Sequence, residues 1–124
     1  MSLAPPDPRS LEGTLRGWAL AYPSTTEEFP WGERAIKVAG KTFLFLRATG
    51  TTVSFSVKLP RSAAEALELP YVESTGYGLG RAGWVTATVD AGRDTPLETF
   101  RSWLDESFRA VAPKRVVAAL PPAS

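Results

Sequence analysis

Neither cysteine nor histidine occurs anywhere in the chain. Without cysteine there is no disulfide, no thiolate nucleophile and no sulfur-ligated zinc or iron–sulfur centre. Without histidine, the commonest general base near neutral pH and the commonest metal ligand are both missing. Chemistry would have to rest on carboxylates, lysines, tyrosines or hydroxyls, and no nucleophile–base pair among them can be named. The sequence therefore reads as non-catalytic, with no cofactor and no metal. An excess of one charge is lacking too: 14 Lys+Arg stand against 13 Asp+Glu, whereas a dedicated nucleic-acid binder carries a marked basic excess. No run approaches the roughly 18 apolar residues of a membrane span. The Pro-rich stretch from Met1 to Pro8 has neither the basic nor the apolar region of a secretory signal. The expectation is a cytoplasmic protein with no membrane partner.

What is present is ordinary globular material. Hydrophobic residues make up 44% and charged residues 22% of 124 residues, enough for one domain with its own core. The expected domain spans 1–124, its core lies at about 8–118, and its ends are Pro-rich. Asp7-Pro8 reads as a helix start, followed by Leu11, Leu15, Trp18, Ala19 and Tyr22 on one face, with Pro23 as the stop. Ser24 to Arg34 reads as a loop. Strands are expected at Ala35–Val38, Lys41–Arg47 and Thr52–Lys58, joined by the tight turns Ala39-Gly40 and Thr49-Gly50-Thr51, which imply an antiparallel meander. A short helix follows at Ser62–Leu69, with Ser62 and Glu65 as a capping box. Further strands are expected at Tyr71–Ser74 and Trp84–Val89. Thr95-Pro96-Leu97-Glu98 carries every element of a capped helix start, and Leu97, Phe100, Trp103, Leu104, Phe108 and Val111 form the apolar face behind it. Pro113 ends that helix, and Lys114–Leu120 adds one more turn. The resulting class is α+β, a two-layer α-β(3)-α-β(2)-α arrangement with an antiparallel sheet and helices on one face.

The strand patterns set one face toward the helices. Ile36 and Val38, then Val53, Phe55 and Val57, then Val85, Ala87 and Val89, all point inward. Lys37, Ser54, Ser56, Lys58, Trp84, Thr86 and Thr88 point outward. The second expected strand is apolar on both faces: Leu44 and Leu46 lie on one, and Lys41, Phe43, Phe45 and Arg47 on the other. If the leucines face the helices, the open face carries a basic–aromatic row suited to stacking bases. The plainer reading puts Phe43 and Phe45 in the core and leaves Trp84, at the mouth of a glycine-rich turn, as the exposed aromatic.

The remaining motifs are weaker. Gly76-Tyr77-Gly78-Leu79-Gly80-Arg81 precedes a strand and has the wrong spacing for a dinucleotide fingerprint. It reads as a loop needing positive φ angles, with Arg81 able to help hold an anion. Glu27-Glu28 and Asp105-Glu106 are adjacent carboxylates, and neighbours on a helix do not face each other. Phe29-Pro30-Trp31-Gly32 reads as a plug at the core's edge. Arg101, Arg109, Lys114 and Arg115 gather near the C-terminal end as a solvated, dipole-favoured set.

Three stretches together carry a family resemblance: Glu28 to Gly32 running into Ile36 to Phe43, Ser56 to Pro60, and Gly76 to Arg81 leading to Gly83-Trp84-Val85. Trp103 to Phe108 followed by Val111 to Lys114 fits as well. Over roughly residues 10–118 the chain resembles the MmcQ/YjbR family of small bacterial proteins (DUF419-like), often labelled DNA-binding. The resemblance implies the fold above, which is similar to type III secretion chaperones and loosely to frataxin-like proteins. Many members have histidines where this chain has Gly78 and Gly83, so any role of those histidines does not carry over. The expected contact residues are Lys37, Lys41, Lys58 and Arg81 for phosphates and Trp84 for stacking, with Tyr77 in the glycine-rich turn and Trp31 at the rim. The expected partner is DNA, bound weakly given the near-neutral charge. A protein partner, a small ligand or a second copy of the chain is the alternative.

Overall fold

The structure is a computed structural model that describes residues 10–29, 33–76, 79–90 and 95–120. Helix α1 (Leu11–Leu20) leads into four strands, β1 (Thr25–Glu28), β2 (Arg34–Val38), β3 (Lys41–Thr49) and β4 (Thr52–Lys58). Helix α2 (Ala63–Ala66), strands β5 (Val72–Ser74) and β6 (Trp84–Asp90), and helices α3 (Leu97–Val111) and α4 (Lys114–Ala118) complete it. The six strands form one sheet in the order β1-β2-β3-β4-β6-β5, and every neighbouring pair is antiparallel. The α+β class and the antiparallel sheet expected from the sequence are observed, with one strand more than the sequence suggested.

That extra strand is β1, inside the stretch read as a loop. Its sequence, Thr25-Thr26-Glu27-Glu28, alternates half-buried and exposed positions, but with polar residues throughout it has no apolar period to reveal it. Several expected boundaries also move. Helix α1 begins at Leu11, where the Ser10 hydroxyl accepts the Gly13 amide at 3.0 Å; Asp7-Pro8 lies outside the described residues. It ends at Leu20 rather than at Pro23. Pro96, not Thr95, takes the cap position of α3, no side chain caps its amides, and Leu97 is 41% exposed rather than part of the apolar face. Ser62 does not cap α2 with its own side chain. The carboxylate of Glu106 on α3 does so instead, accepting the Arg61 and Ser62 amides at 2.8 and 3.1 Å and the Ser62 hydroxyl at 2.6 Å. A remote carboxylate thus supplies the acceptor that the local capping box was expected to provide.

Alternation along β3 breaks at a bulge. The register passes from Ile36↔Leu44 to Lys37↔Thr42, so Phe43 has no partner on β2, and both Phe43 and Leu44 are fully buried. An extra residue in one strand sends consecutive side chains to one side. Phe43 therefore packs edge-on against Phe108, ring centroids 5.0 Å apart, while Tyr22 stacks on Phe108 at 4.3 Å. The bulge explains why β3 looks apolar on both faces. Leu44 and Leu46 face the helices, Phe43 joins them, and Phe45 alone of the two phenylalanines stays on the other side.

At the same place the β3–β4 ladder ends after Leu44↔Val57. Where the next rung would fall, the fully buried Ser107 of α3 inserts its hydroxyl. It donates to the Phe43 carbonyl at 2.6 Å and accepts the Lys58 amide at 2.9 Å. Two backbone groups freed by the bulge are thereby satisfied. Consecutive residues of α3, Glu106 and Ser107, bind it to α2 and to the sheet.

A second polar junction holds α1 against the β1 edge. Arg34, 5% exposed, reaches Glu12 at 3.2 Å and Glu27 at 3.5 Å, and its guanidinium lies 4.9 Å from the Phe29 ring centre. Arg16 grips Glu27 with two bonds of 2.7 and 3.0 Å. The bond to Glu27 raises the Arg16 pKa above its ordinary value despite partial burial. A bidentate carboxylate grip of this kind fixes orientation as well as charge.

Tyr22 donates its hydroxyl to Asp105 at 2.7 Å. Burial first, and that bond second, push its pKa well above the ordinary phenol value. The sign of the linkage follows. The contribution is complete while the unfolded tyrosine is protonated, below about pH 10, and is lost as pH rises from there through the folded value. Tyr22→Phe should therefore make the alkaline decline in stability shallower, as read from urea midpoints at rising pH. An unaltered decline would assign it elsewhere, first to Tyr71, which burial also shifts upward.

Candidate binding face of the sheet

Helices α1 and α3 cover one side of the sheet; the side chains on the other side form rungs across the strands. One rung runs Glu28, Ala35, Phe45, Ser56, Thr86 and Glu73, and the next runs Arg47, Ser54 and Thr88. Beside the first, Lys58 stands opposite Trp84. Ser56 on the central strand is small enough for the two aromatics flanking it to meet above it. The Phe45 and Trp84 ring centroids are 5.6 Å apart, and Ser56 beneath them is only 9% exposed. Its hydroxyl lies 2.7 Å from that of Thr86, which lies 2.9 Å from that of Thr75. Ser54 and Thr88 approach to 3.4 Å. Hydroxyl–hydroxyl pairs across strands stabilise a solvated sheet face.

The structure brings together only part of the expected site. Lys58 is half-buried beside Trp84, and Arg81 is exposed in a 3-10 turn, Leu79–Ala82, just before β6. Lys37 lies on this face but pairs with Glu28 at 2.7 Å, which neutralises it. Lys41 is a correction. The bulge places it opposite the core residue Val38, on the helix side. Trp84 is a second correction: it is 8% exposed, a wall beneath Phe45 rather than a free stacking ring. Trp31 and Tyr77 lie outside the described residues. The strand alternation already put Arg47 beside Phe45. With Lys41 removed, Phe45 is the partly buried ring and Arg47 the exposed cation next to it. Among the described residues neither Arg47 nor Lys58 nor Arg81 has a carboxylate partner.

Of the described glycines in the glycine-rich turn, neither Gly76 nor Gly80 has a positive φ; Gly78 lies outside the described residues. Gly83, just after the turn, has φ +91°. A Cβ there would come within 3.1 Å of the Leu59 carbonyl, because the Gly83 carbonyl accepts the Leu59 amide at 2.8 Å. Only glycine combines that φ with so close a backbone approach.

The adjacent carboxylates answer to different partners. Glu27 turns to Arg16 and Arg34, and Glu28 to Lys37. Asp105 holds Tyr22 and Arg109, and Glu106 the start of α2. Among the described residues no group of three or more acidic side chains could hold a metal ion, and no helix is long and apolar enough to cross a membrane.

The comparisons agree with this architecture. The YjbR family model matches residues 20–110. Among solved structures, a Deinococcus radiodurans protein with a DUF419 domain superposes with a TM-score of 0.73 at 23% identity, covering 95% of this chain and 94% of its own. A Pseudomonas syringae protein superposes at 0.58 with 14% identity, covering 77% of this chain and 93% of its own. Among curated proteins there is no match. The family match spans every strand of the sheet and nearly all of α3, the elements that build the open face and its backing, and the chain belongs to the YjbR family.

Proposed function

We propose that this YjbR-family domain is a non-catalytic binding module whose open sheet face makes weak, salt-sensitive contact with single-stranded nucleic acid. The observation that carries the reading is the partly buried Phe45 ring on the open face, backed by Trp84, with Arg47 and Lys58 on the same face, neither of which has a carboxylate partner among the described residues. An aromatic surface between cations suits a base stacked over the ring with its phosphates on either side. Affinity is held low by a net charge of only +1, since phosphate neutralisation supplies most nonspecific binding.

The test is fluorescence anisotropy of labelled single-stranded DNA, duplex DNA and RNA at about 50 and 200 mM salt. Single strands should bind at the lower salt and weaken at the higher. Lys58→Glu and Arg47→Glu should each reduce binding several-fold and flatten the salt dependence. Binding with an unchanged salt slope in both variants would remove the open face from the reading. A protein partner is the second reading, favoured by the carboxylates of Glu28, Glu73 and Asp90 on the same face, which oppose a polyanion and suit a mixed-charge surface. Failure of all three nucleic acids to bind at low salt would leave it as the better account.

A further inference from the structure

On the opposite side of the molecule, a groove of about 830 Å³ lies between α1, α3 and the Leu120 end of α4. Small-ligand sites span about 300–1,000 Å³ and combine apolar walls with a few polar groups that fix orientation. This groove has both. Its wall is the partly buried Trp18, its floor the 1%-exposed Leu104, and Leu120 closes one end.

The charges lining it are unevenly engaged. The Asp105 carboxylate is held by the Tyr22 hydroxyl and Arg109, at 2.7 and 2.8 Å. The Glu106 carboxylate is committed to the three donors at the start of α2. Two exposed guanidiniums in the lining, Arg61 and Arg101, have no ion pair among the described residues, and Glu98 is the one lining carboxylate likewise without one there. Arg101 is also positioned: its guanidinium lies 5.4 Å from the Trp18 ring centre. A cation so placed on an indole face is held without losing its hydrogen-bond donors.

We infer that this groove binds a small organic anion, a carboxylate or phosphate monoester with a flat apolar body. The anionic group would sit on Arg61 and Arg101, and the body between Trp18 and Leu120. The site is independent of the open sheet face and stands or falls apart from nucleic-acid binding.

The probes are phenyl phosphate and benzoate, with inorganic phosphate and the neutral benzyl alcohol as controls, titrated into 15N-labelled full-length protein to about 10 mM, the range in which millimolar sites saturate. Both aromatic anions should shift amides of residues 18–22 and 98–109 along one saturating curve. The two controls should bind much more weakly, because each lacks half of the recognised chemistry. Arg101→Gln and Arg61→Gln should each weaken binding about tenfold, the size expected for losing a charge-assisted hydrogen bond. Both side chains are exposed, so the variants should keep the parent spectrum elsewhere, and Lys58→Glu should leave these titrations unchanged. No saturating shift with either aromatic anion would overturn the inference. So would equal binding of benzyl alcohol, or undiminished binding in both arginine variants. Response to phenyl phosphate alone would narrow the ligand to phosphate esters, and response to both would keep the wider class.

Discussion

Phe43→Ala should lower the unfolding free energy by about 3–5 kcal/mol, the usual loss for a large aromatic removed from a packed core. Phe45→Ala, two residues along the same strand, should cost less, about 1–2 kcal/mol, since a partly buried ring gives up only part of its transfer free energy. The contrast comes from the bulge. Phe43 has no exposed surface and meets the stacked Tyr22 and Phe108 rings edge-on, while Phe45 lies across the sheet against Trp84. Urea unfolding of the two variants against the parent measures it. Equal losses would mean that β3 runs without a bulge and that both rings share one environment.

Ser107→Ala should cost about 2–4 kcal/mol, although it removes a single oxygen. The hydroxyl is fully buried, and it serves the Phe43 carbonyl and the Lys58 amide at once. Both backbone groups would be left without a partner, and a buried group so abandoned loses its full solvation. The Lys58 amide reports the change directly, because its hydrogen exchange should accelerate relative to neighbouring β4 amides. A loss below about 0.5 kcal/mol with the Lys58 amide still protected would show that β3 and β4 close on each other when the serine is gone.

The parts of the fold that can be read from sequence are those in which a side chain's neighbours lie within a few residues. Val53, Phe55 and Val57 alternate cleanly with Ser54 and Ser56, and β4 and its faces follow from that. The tight turn at Ala39-Gly40 is equally local, with φ values of 51° and 81°. What was not legible depends on contacts distant in sequence. Thr25 to Glu28 becomes a strand because β2 offers it a ladder and because Arg16 and Arg34 fix Glu27 from another helix and another strand. Glu106 caps α2 from more than 40 residues away, and nothing near Ser62 announces it.

The candidate face shows the same division. The outward placement of Lys58 follows from alternation alone. Alternation alone puts Lys41 on the wrong side, because a single unpaired residue shifts the phase of its strand and neighbouring side chains carry no mark of it. Trp84 does point away from the helices, but its burial depends on Phe45 reaching over Ser56 from another strand. Lys37 looked like a free cation until β1 supplied Glu28. The groove arginines, Arg61 and Arg101, belong to one lining only once the chain before α2 is tied to α3 through Glu106.

The bulge also bears on what the outer surface offers to other chains. In an unbroken β3, Phe43 and Phe45 would stand side by side next to Trp84, a continuous greasy strip on a surface that the helices leave uncovered. Strips of that kind attract other chains and invite aggregation. Turning one ring inward leaves Phe45 alone among serines, threonines and charges, so the same irregularity that fills the core also keeps the outer surface from becoming sticky.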